Sequence, residues 1–348
     1  MIKVLVCDDS AFMRRAISTM LTSDSDVRVI DFAKNGREAV EMAIKHQPDI
    51  ITMDVEMPEM DGLTALREIM AKSPTQVIML SSLTTEGSRA AMQALRLGAA
   101  DVLAKDQSLV STKIMGLRDE LLRRVHALAE AGRPRAGKVS APASTSIPSY
   151  RPGRFNLIVI GSSTGGPPVL ETILSQVSAK SRVPIIVAQH MPAVFTKSMA
   201  ERLNGQCQVP VRHAEDRMPV EPGAIHICPG GLNTHIGKAG SRLTLRMNRE
   251  PEDTVYYPSA NVLFDSAAKA VGRHALAIVL TGMGEDGVVG ARSLVDAGGT
   301  VLAQSAETCV VYGMPKAVTQ AAIATESLSP TQLAELLAEV TAPVSCAA

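Results

Sequence analysis

The chain has 348 residues, with 46% hydrophobic and 20% charged side chains and 35 Lys plus Arg against 35 Asp plus Glu. That length accommodates two domains with ample core, and the even charge balance excludes the electrostatic footprint of a nucleic-acid or anionic-membrane binder. The absence of Trp, with four Tyr and five Phe, leaves little for base stacking as well.

Chain order begins with an apolar run that Asp8 and Asp9 interrupt, too short and without the basic start of a signal peptide. From there to residue 131, strand and helix patterns alternate five times. Strands are predicted at Lys3–Cys7, Val27–Phe32, Asp49–Met53, Gln76–Leu80 and Asp101–Leu103, and helices at Ala11–Thr22, Gly36–His46, Leu63–Lys72, Glu86–Leu97 and Thr112–Ala129. Repeated βα units imply an α/β fold with a doubly wound, five-stranded parallel sheet. From Gly132 to Gly153 the composition shifts to Pro, Ala, Ser and Gly, which cannot bury enough apolar surface to offset chain entropy, so a flexible linker is expected.

After the linker, strands are predicted at Asn156–Ile160, Pro184–Ala188, Ala275–Leu280 and Thr300–Ala303, and helices at Pro167–Val177, Val194–Leu203, Ser259–Val271 and Val288–Ala297. Ala224–Cys228, Thr234–Gly237 and Arg242–Met247 also read as strands, the last two forming a hairpin around Lys238-Ala239-Gly240-Ser241. The second domain is therefore expected to be mixed α/β, with a mostly parallel sheet and a β-hairpin. No apolar run approaches the length of a membrane span. Cys7, Cys207, Cys228, Cys309 and Cys346 form no C-x-x-C pair and read as buried or incidental thiols of a reducing compartment, so a cytoplasmic protein is expected.

Ligands of doubly wound sheets bind at the carboxyl ends of the strands. Asp8 and Asp9 follow the first strand, Asp54 the third, Ser81 the fourth and Lys105 the fifth. Convergent carboxylates suit a hard divalent cation such as Mg²⁺, and a carboxylate beside that cation can act as nucleophile towards a phosphoryl group. Taken singly, Asp-Asp-Ser is also a good helix N-cap and Asp54 a good turn residue. Asp8-Asp9-Ser10, the run Met53–Gly62, Ser81-Ser82 and Lys105 together resemble a response-regulator receiver domain. The resemblance implies Asp54 as phospho-acceptor, with Asp9, Asp54 and the Glu56 carbonyl on Mg²⁺ and Asp8 acting through water. It also implies phosphoryl contacts from Ser81 and Lys105 and a histidine kinase as phosphodonor. The sequence departs from the family pattern at Asp106, where proline is usual after the lysine, and at Val102, where an aromatic switch residue is common.

In the second domain, Leu157–Gly166 reads as an apolar strand entering a turn of hydroxyl residues and glycines, and Gly161–Gly165 fits G-x-S-x-G with Ser163 at the nucleophile position. A serine needs a base and a group that orients the base. Of seven histidines, His190 ends the next predicted strand and projects from the same sheet edge as Ser163; His213, near another strand end, is the rival. The acid is expected in Thr281–Gly287, a glycine-punctuated loop after a strand, where Asp286 is favoured over Glu285; its ordinary alternative is the cap of the helix that follows. A dinucleotide site fits poorly, because Ser163 replaces the middle glycine of the fingerprint and Gln189-His190 stands where an acid should hold the ribose.

Ile160–Gly166, Gln189–Pro192, Phe195-Thr196, Arg202-Leu203, Pro258-Ser259, Leu263-Phe264 and Leu280–Gly287 resemble the chemotaxis protein-glutamate methylesterase family. The resemblance implies Ser163 as nucleophile, His190 as base, Asp286 as orienting acid, and an oxyanion hole from the backbone N–H groups of Thr164 and Met283. It further implies demethylation and deamidation of chemoreceptors under phosphorylation control, with no cofactor for ester hydrolysis. Departures from the family pattern fall at Tyr257, Ala260 and Asn261 within Tyr257-Pro258-Ser259-Ala260-Asn261, and at Asn233, with His235 two positions on. The expected division is a receiver domain over 1–125, a helix end and linker over 126–153, and a catalytic domain over 154–342. A receiver on a flexible tether has a high effective concentration for the catalytic face and could cover it. The rival readings are a non-catalytic response-regulator adaptor and a DNA-binding regulator.

Overall fold

The computed structural model describes residues 1–105, 111–132, 147–240 and 242–343; Asp106, Ser241, Cys346 and linker residues 133–146 lie outside them. The chain forms two compact units, residues 1–138 and 139–348.

The first unit runs β1 (Ile2–Cys7), α1 (Ala11–Thr22), β2 (Val27–Ala33), α2 (Gly36–His46), β3 (Ile50–Asp54), α3 (Gly62–Lys72), β4 (Gln76–Ser82), α4 (Thr85–Arg96), β5 (Asp101–Lys105) and α5 (Ser111–Ala131). Its strands lie in the order β2-β1-β3-β4-β5, with every ladder parallel. β3 is buried at all its residues, as helices on both faces of a parallel sheet require. The side chains of Ser10, Asn35, Asp61 and Thr84 each accept a backbone N–H from the first turn of α1, α2, α3 and α4, fixing the start of those helices. Backbone pairing carries the strands past their apolar runs: Ser81 lies inside β4, opposite Ala104, and Asp54 and Lys105 are the last residues of their strands rather than the first after them. The chain order reverses between β1 and β3, so the crevice of this sheet opens between Asp8 and Asp54.

The second unit runs β6 (Leu157–Ser162), α6 (Gly166–Leu174), β7 (Ile185–Gln189), α7 (Ala193–Asn204), β8 (Val211–His213), β9 (Ile225–Ile227), β10 (Asn233–Ala239), β11 (Arg242–Asn248), α8 (Ala260–Val271), β12 (Ala275–Val279), α9 (Val288–Asp296), β13 (Thr300–Gln304), α10 (Met314–Gln320), β14 (Glu326–Leu328) and α11 (Pro330–Val340). Seven strands form a sheet in the order β14-β13-β12-β6-β7-β9-β8, all ladders parallel, while β10 and β11 pair as a separate antiparallel hairpin. Phe155, Phe195 and Phe264 are fully buried in its core. Here too the strand order turns at the first strand: β7 lies on one side of β6 and β12 on the other. The crevice therefore opens at the carboxyl ends of β6 and its two neighbours, where Ser163, His190 and the loop after β12 emerge. No described helix is long and apolar enough to cross a membrane.

Within β9, His226 is fully buried and neither ring nitrogen has a hydrogen-bond partner among the described residues. Burial pushes its pKa down to about 4, with Glu221 opposing and Arg212 adding to the effect. Between the ordinary histidine pKa near 6.5 and about 4 the unfolded chain binds a proton that the folded chain refuses, so stability falls as the pH is lowered through that window. The loss should reach about 3 kcal/mol at its lower end, at roughly 1.4 kcal/mol per pKa unit. Urea unfolding followed from pH 7.5 to 4.5 should show a steeper loss for the wild type than for His226→Leu; parallel curves would refute this.

Candidate active site

Three elements deliver the site of the second unit. Ser163 follows β6 directly, His190 follows β7, and the register pairs Ser162 with Gln189, so both residues leave the sheet side by side. The His190 N–H donates to the Ser162 carbonyl at 2.9 Å and the Ser163 N–H to the Thr281 carbonyl at 3.0 Å, tying three strand ends together. Gly282 packs so closely that a Cβ there would lie 2.5 Å from Ser163 Cβ. Ser162 points elsewhere: its Oγ is buried without a partner among the described residues, 1.9 Å from where a Cβ on Gly166 would stand.

His190 Nε2 lies 2.8 Å from Asp286 Oδ2, with both side chains almost wholly buried. Asp286 also accepts from Ser259 Oγ at 2.8 Å, Ala260 N at 2.6 Å and Asn261 N at 3.0 Å. Burial pushes its carboxyl up, but the bond and charge of His190 and the Asn261 and Ala260 N–H groups outweigh that and hold it below the usual carboxylate range. In a neutral imidazole, an ionised Asp286 places the proton on Nε2 and leaves Nδ1 as the lone pair, and Nδ1 is buried with no partner among the described residues. The ring of Tyr256 stacks on the imidazole at 4.2 Å between centroids and 7° between planes, closing one face of it.

The alternative reading of the acid loop does not hold. Asp286 caps α8, whose first N–H groups it binds, and not the helix that follows it. α9 is served in return by Asn261 Oδ1, which accepts from Gly287 N at 2.9 Å and Gly290 N at 3.0 Å. The two helices thus exchange caps. Asn233, the other departure, accepts from Ser259 N at 3.0 Å and donates to the Glu250 carbonyl at 3.0 Å, fixing the start of α8. His235 bonds Asn248 Oδ1 at 2.9 Å and the Glu250 carbonyl at 3.1 Å, within the hairpin region. His213, the rival base, sits on the terminal strand of the sheet with Thr196 Oγ1 as partner at 3.1 Å.

Sequence reasoning missed Tyr256 and the anchoring role of Ser259. Tyr256 carries no local signal, and Ser259 signals only the N-cap of α8, not that its hydroxyl also reaches Asp286. Burial keeps the thiols of Cys207, Cys228 and Cys309 protonated, pushing them up to about 11, 12 and 12.

In the first unit, Asp8, Asp9 and Asp54 offer oxygens within 4.8 Å of one another. Lys105 Nζ lies 2.6 Å from Asp8 Oδ2 and 2.7 Å from Asp54 Oδ2. Burial raises the Asp54 carboxyl above its ordinary pKa; Lys105 opposes this and Asp8 adds to it. Such a crowded, partly buried carboxylate cup fits a hard divalent cation with oxygen ligands. Asp9 and Glu56 line the cavity beside it, together with Val55, Met57 and Asp61. Ser81 Oγ donates to the Gly87 carbonyl at 2.8 Å. Val102 is buried in β5 and has no ring to rotate.

Two family models match the chain: the CheB methylesterase model over residues 158–337 and the response regulator receiver domain model over residues 4–113. A protein-glutamate methylesterase/protein-glutamine glutaminase of Oleidesulfovibrio alaskensis is 44% identical over 93% of this chain and 95% of its own length. One from Vibrio parahaemolyticus is 44% identical over 97% of this chain and 99% of its own. The crystal structure of the Thermotoga maritima CheB methylesterase catalytic domain superposes with a TM-score of 0.52 at 37% identity, over 53% of this chain and 98% of that one. The chain belongs to the CheB methylesterase family, with a response regulator receiver domain preceding its methylesterase domain.

Proposed function

We propose that this protein is a cytoplasmic, phosphorylation-activated serine hydrolase that removes methyl esters from glutamyl residues of chemoreceptors and deamidates selected receptor glutamines. The observation that carries the reading is the buried His190–Asp286 pair at the strand end beside Ser163, with Nδ1 of the imidazole unengaged. His190 Nδ1 takes the Ser163 proton as Oγ attacks the γ-carbonyl. The oxyanion is met by the backbone N–H groups of Thr164 and Met283. Nδ1 returns the proton to the leaving group, giving methanol from an ester or ammonia from an amide. Water, activated by the same nitrogen, then frees the glutamate. Asp286 holds the ring and stabilises the imidazolium.

Control passes through the receiver domain. Asp54 takes a phosphoryl group from a histidine kinase, its Oδ forming the new bond to phosphorus while the donor's bond breaks. Asp9, Asp54 and the Glu56 carbonyl would hold Mg²⁺ directly and Asp8 through water; the ion would neutralise phosphoryl charge. Lys105, which pairs with Asp8 and Asp54, is then placed to bind a phosphoryl oxygen, and Ser81 to donate to another. We assign the receiver to residues 1–125 and the catalytic domain to 154–342, joined by the helix end and linker.

Methanol release from methylated receptor membranes tests both halves. A small-molecule phosphodonor with Mg²⁺ should raise the wild-type rate by about 5–150-fold, the span of ordinary allosteric coupling. Asp54→Asn should keep the unstimulated rate and lose the response. Absence of methanol release by the wild type would sink the hydrolase reading, and a response surviving in Asp54→Asn would sink the assignment of the acceptor.

A further inference from the structure

We infer that Gln189 is a positioning residue for the oxyanion hole, acting through the Ser163–Thr164 peptide; this rests on the proposed roles of Ser163, Thr164 and Met283. In a trans peptide the N–H points away from the carbonyl of the same unit, so whatever fixes the oxygen aims the hydrogen. The carbonyl of Ser163 belongs to the peptide whose N–H is that of Thr164. It accepts from Gln189 Nε2 at 2.9 Å and from Gly166 N at 2.9 Å. The carbonyl of Gly282 belongs to the peptide whose N–H is that of Met283. It accepts from Met314 N at 2.9 Å and Gly313 N at 3.1 Å. Both hole peptides are thus pinned by two donors at the rear. Three of the four are main-chain groups, and the fourth is the Gln189 side chain.

Gln189 is a costly choice unless that bond matters. Its side chain is buried, and Oε1 has no hydrogen-bond partner among the described residues. Leaving a buried amide oxygen unsatisfied is unfavourable, and an apolar side chain would avoid it. The surroundings also reserve its place. A Cβ on Gly166 would lie 2.5 Å from Gln189 Oε1, so the glycine that opens α6 leaves room for the amide. Donation into the Ser163 carbonyl polarises the peptide and makes the opposite N–H a better donor to negative charge. The effect is largest when that charge develops, so the residue serves the transition state more than the bound substrate.

The test uses the full-length protein, with methanol release from methylated receptor membranes as the readout. Gln189→Met keeps length and burial but removes the donor. Its kcat should fall about ten- to a hundredfold, less than for outright loss of an oxyanion donor, while KM stays within about twofold. In Gln189→Glu the protonated carboxyl can donate to the Ser163 carbonyl and the ionised one repels it. The ratio of its kcat to that of the wild type should therefore rise as the pH is lowered, whereas the Gln189→Met ratio stays flat. A merely structural role would lower the thermal midpoint and activity together and give no such pH-dependent ratio. Wild-type kcat in a folded Gln189→Met protein overturns the inference. If Gln189→Met does not fold, a flat Gln189→Glu ratio overturns it. Ser163→Ala, run in parallel, separates the two readings: surviving release there refutes the nucleophile, whereas its loss alongside an active Gln189→Met refutes only the role of Gln189.

Discussion

Methanol release by the Ser163→Ala protein should fall by about four to six orders of magnitude, as removal of a serine nucleophile does in other triad hydrolases. The neighbouring Ser162→Ala protein should stay within about an order of magnitude of the wild type, because a buried hydroxyl without a partner contributes little that alanine loses. The contrast follows from where the two side chains go. Ser162 is the last residue of β6, and its Oγ is buried against the start of α6. Ser163 leaves the strand beside His190 and packs its Cβ against Gly282. Phosphorylation of Asp54 should be normal in both variants, which separates loss of chemistry from loss of fold. Release by Ser163→Ala at the wild-type rate would remove the serine mechanism. A Ser162→Ala protein as inactive as Ser163→Ala would move the nucleophile or implicate Ser162 in holding the turn.

That distinction was legible in the sequence because a parallel sheet puts every strand's carboxyl end on one edge. Apolar runs ending at Cys7, Met53, Ile160 and Ala188 place Asp8, Asp54, Ser163 and His190 beside their crevices, and polar N-caps such as Ser10 and Asn35 fix helix starts to the residue. What remained hidden depends on elements distant in sequence that meet side by side. β8 and β14 are edge strands with one buried residue each, so no apolar run marks them, whereas the equally short β9 is buried throughout and shows in the sequence. The cap exchange between Asp286 and Asn261 needs α8 and α9 packed with their N-termini together, which no local signal announces. Tyr256 reaches His190 from a loop 66 positions further along the chain, and its neighbours Val255 and Tyr257 carry no cue that one of the three should cover an imidazole. Gln189 was visible as the residue before His190, but its bond to the Ser163 carbonyl emerges only from the register of β6 against β7.

Substitution at Asp286 should damage catalysis and stability together, and by separable routes. The carboxylate accepts from His190, Ser259, Ala260 and Asn261, so it serves the imidazole and the α8 N-terminus with the same two oxygens. In Asp286→Asn, an amide that keeps its oxygen towards Ser259 and Asn261 presents NH₂ where Oδ2 stood. That group faces the Ala260 N–H and donates to His190 Nε2, which moves the ring proton to Nδ1 and blocks the base. The expected fall in kcat is about 10⁴-fold, as for the corresponding change in a serine protease triad. Asp286→Ala leaves four donors unsatisfied in a buried site, and should cost about 3–5 kcal/mol, the usual penalty for breaking a buried charged pair. For a domain of this size that is a drop of roughly 10 °C in the melting midpoint of the catalytic unit. A variant at Ser259 distinguishes the routes: Ser259→Ala removes one bond to Oδ1 and the cap on Val262 N without touching Oδ2, and should lower the midpoint more than it lowers kcat. Calorimetry with methanol-release kinetics on the three variants measures both effects. If Asp286→Asn retained wild-type kcat, the orienting role would be wrong; if Asp286→Ala melted with the wild type, the carboxylate would not be anchoring α8.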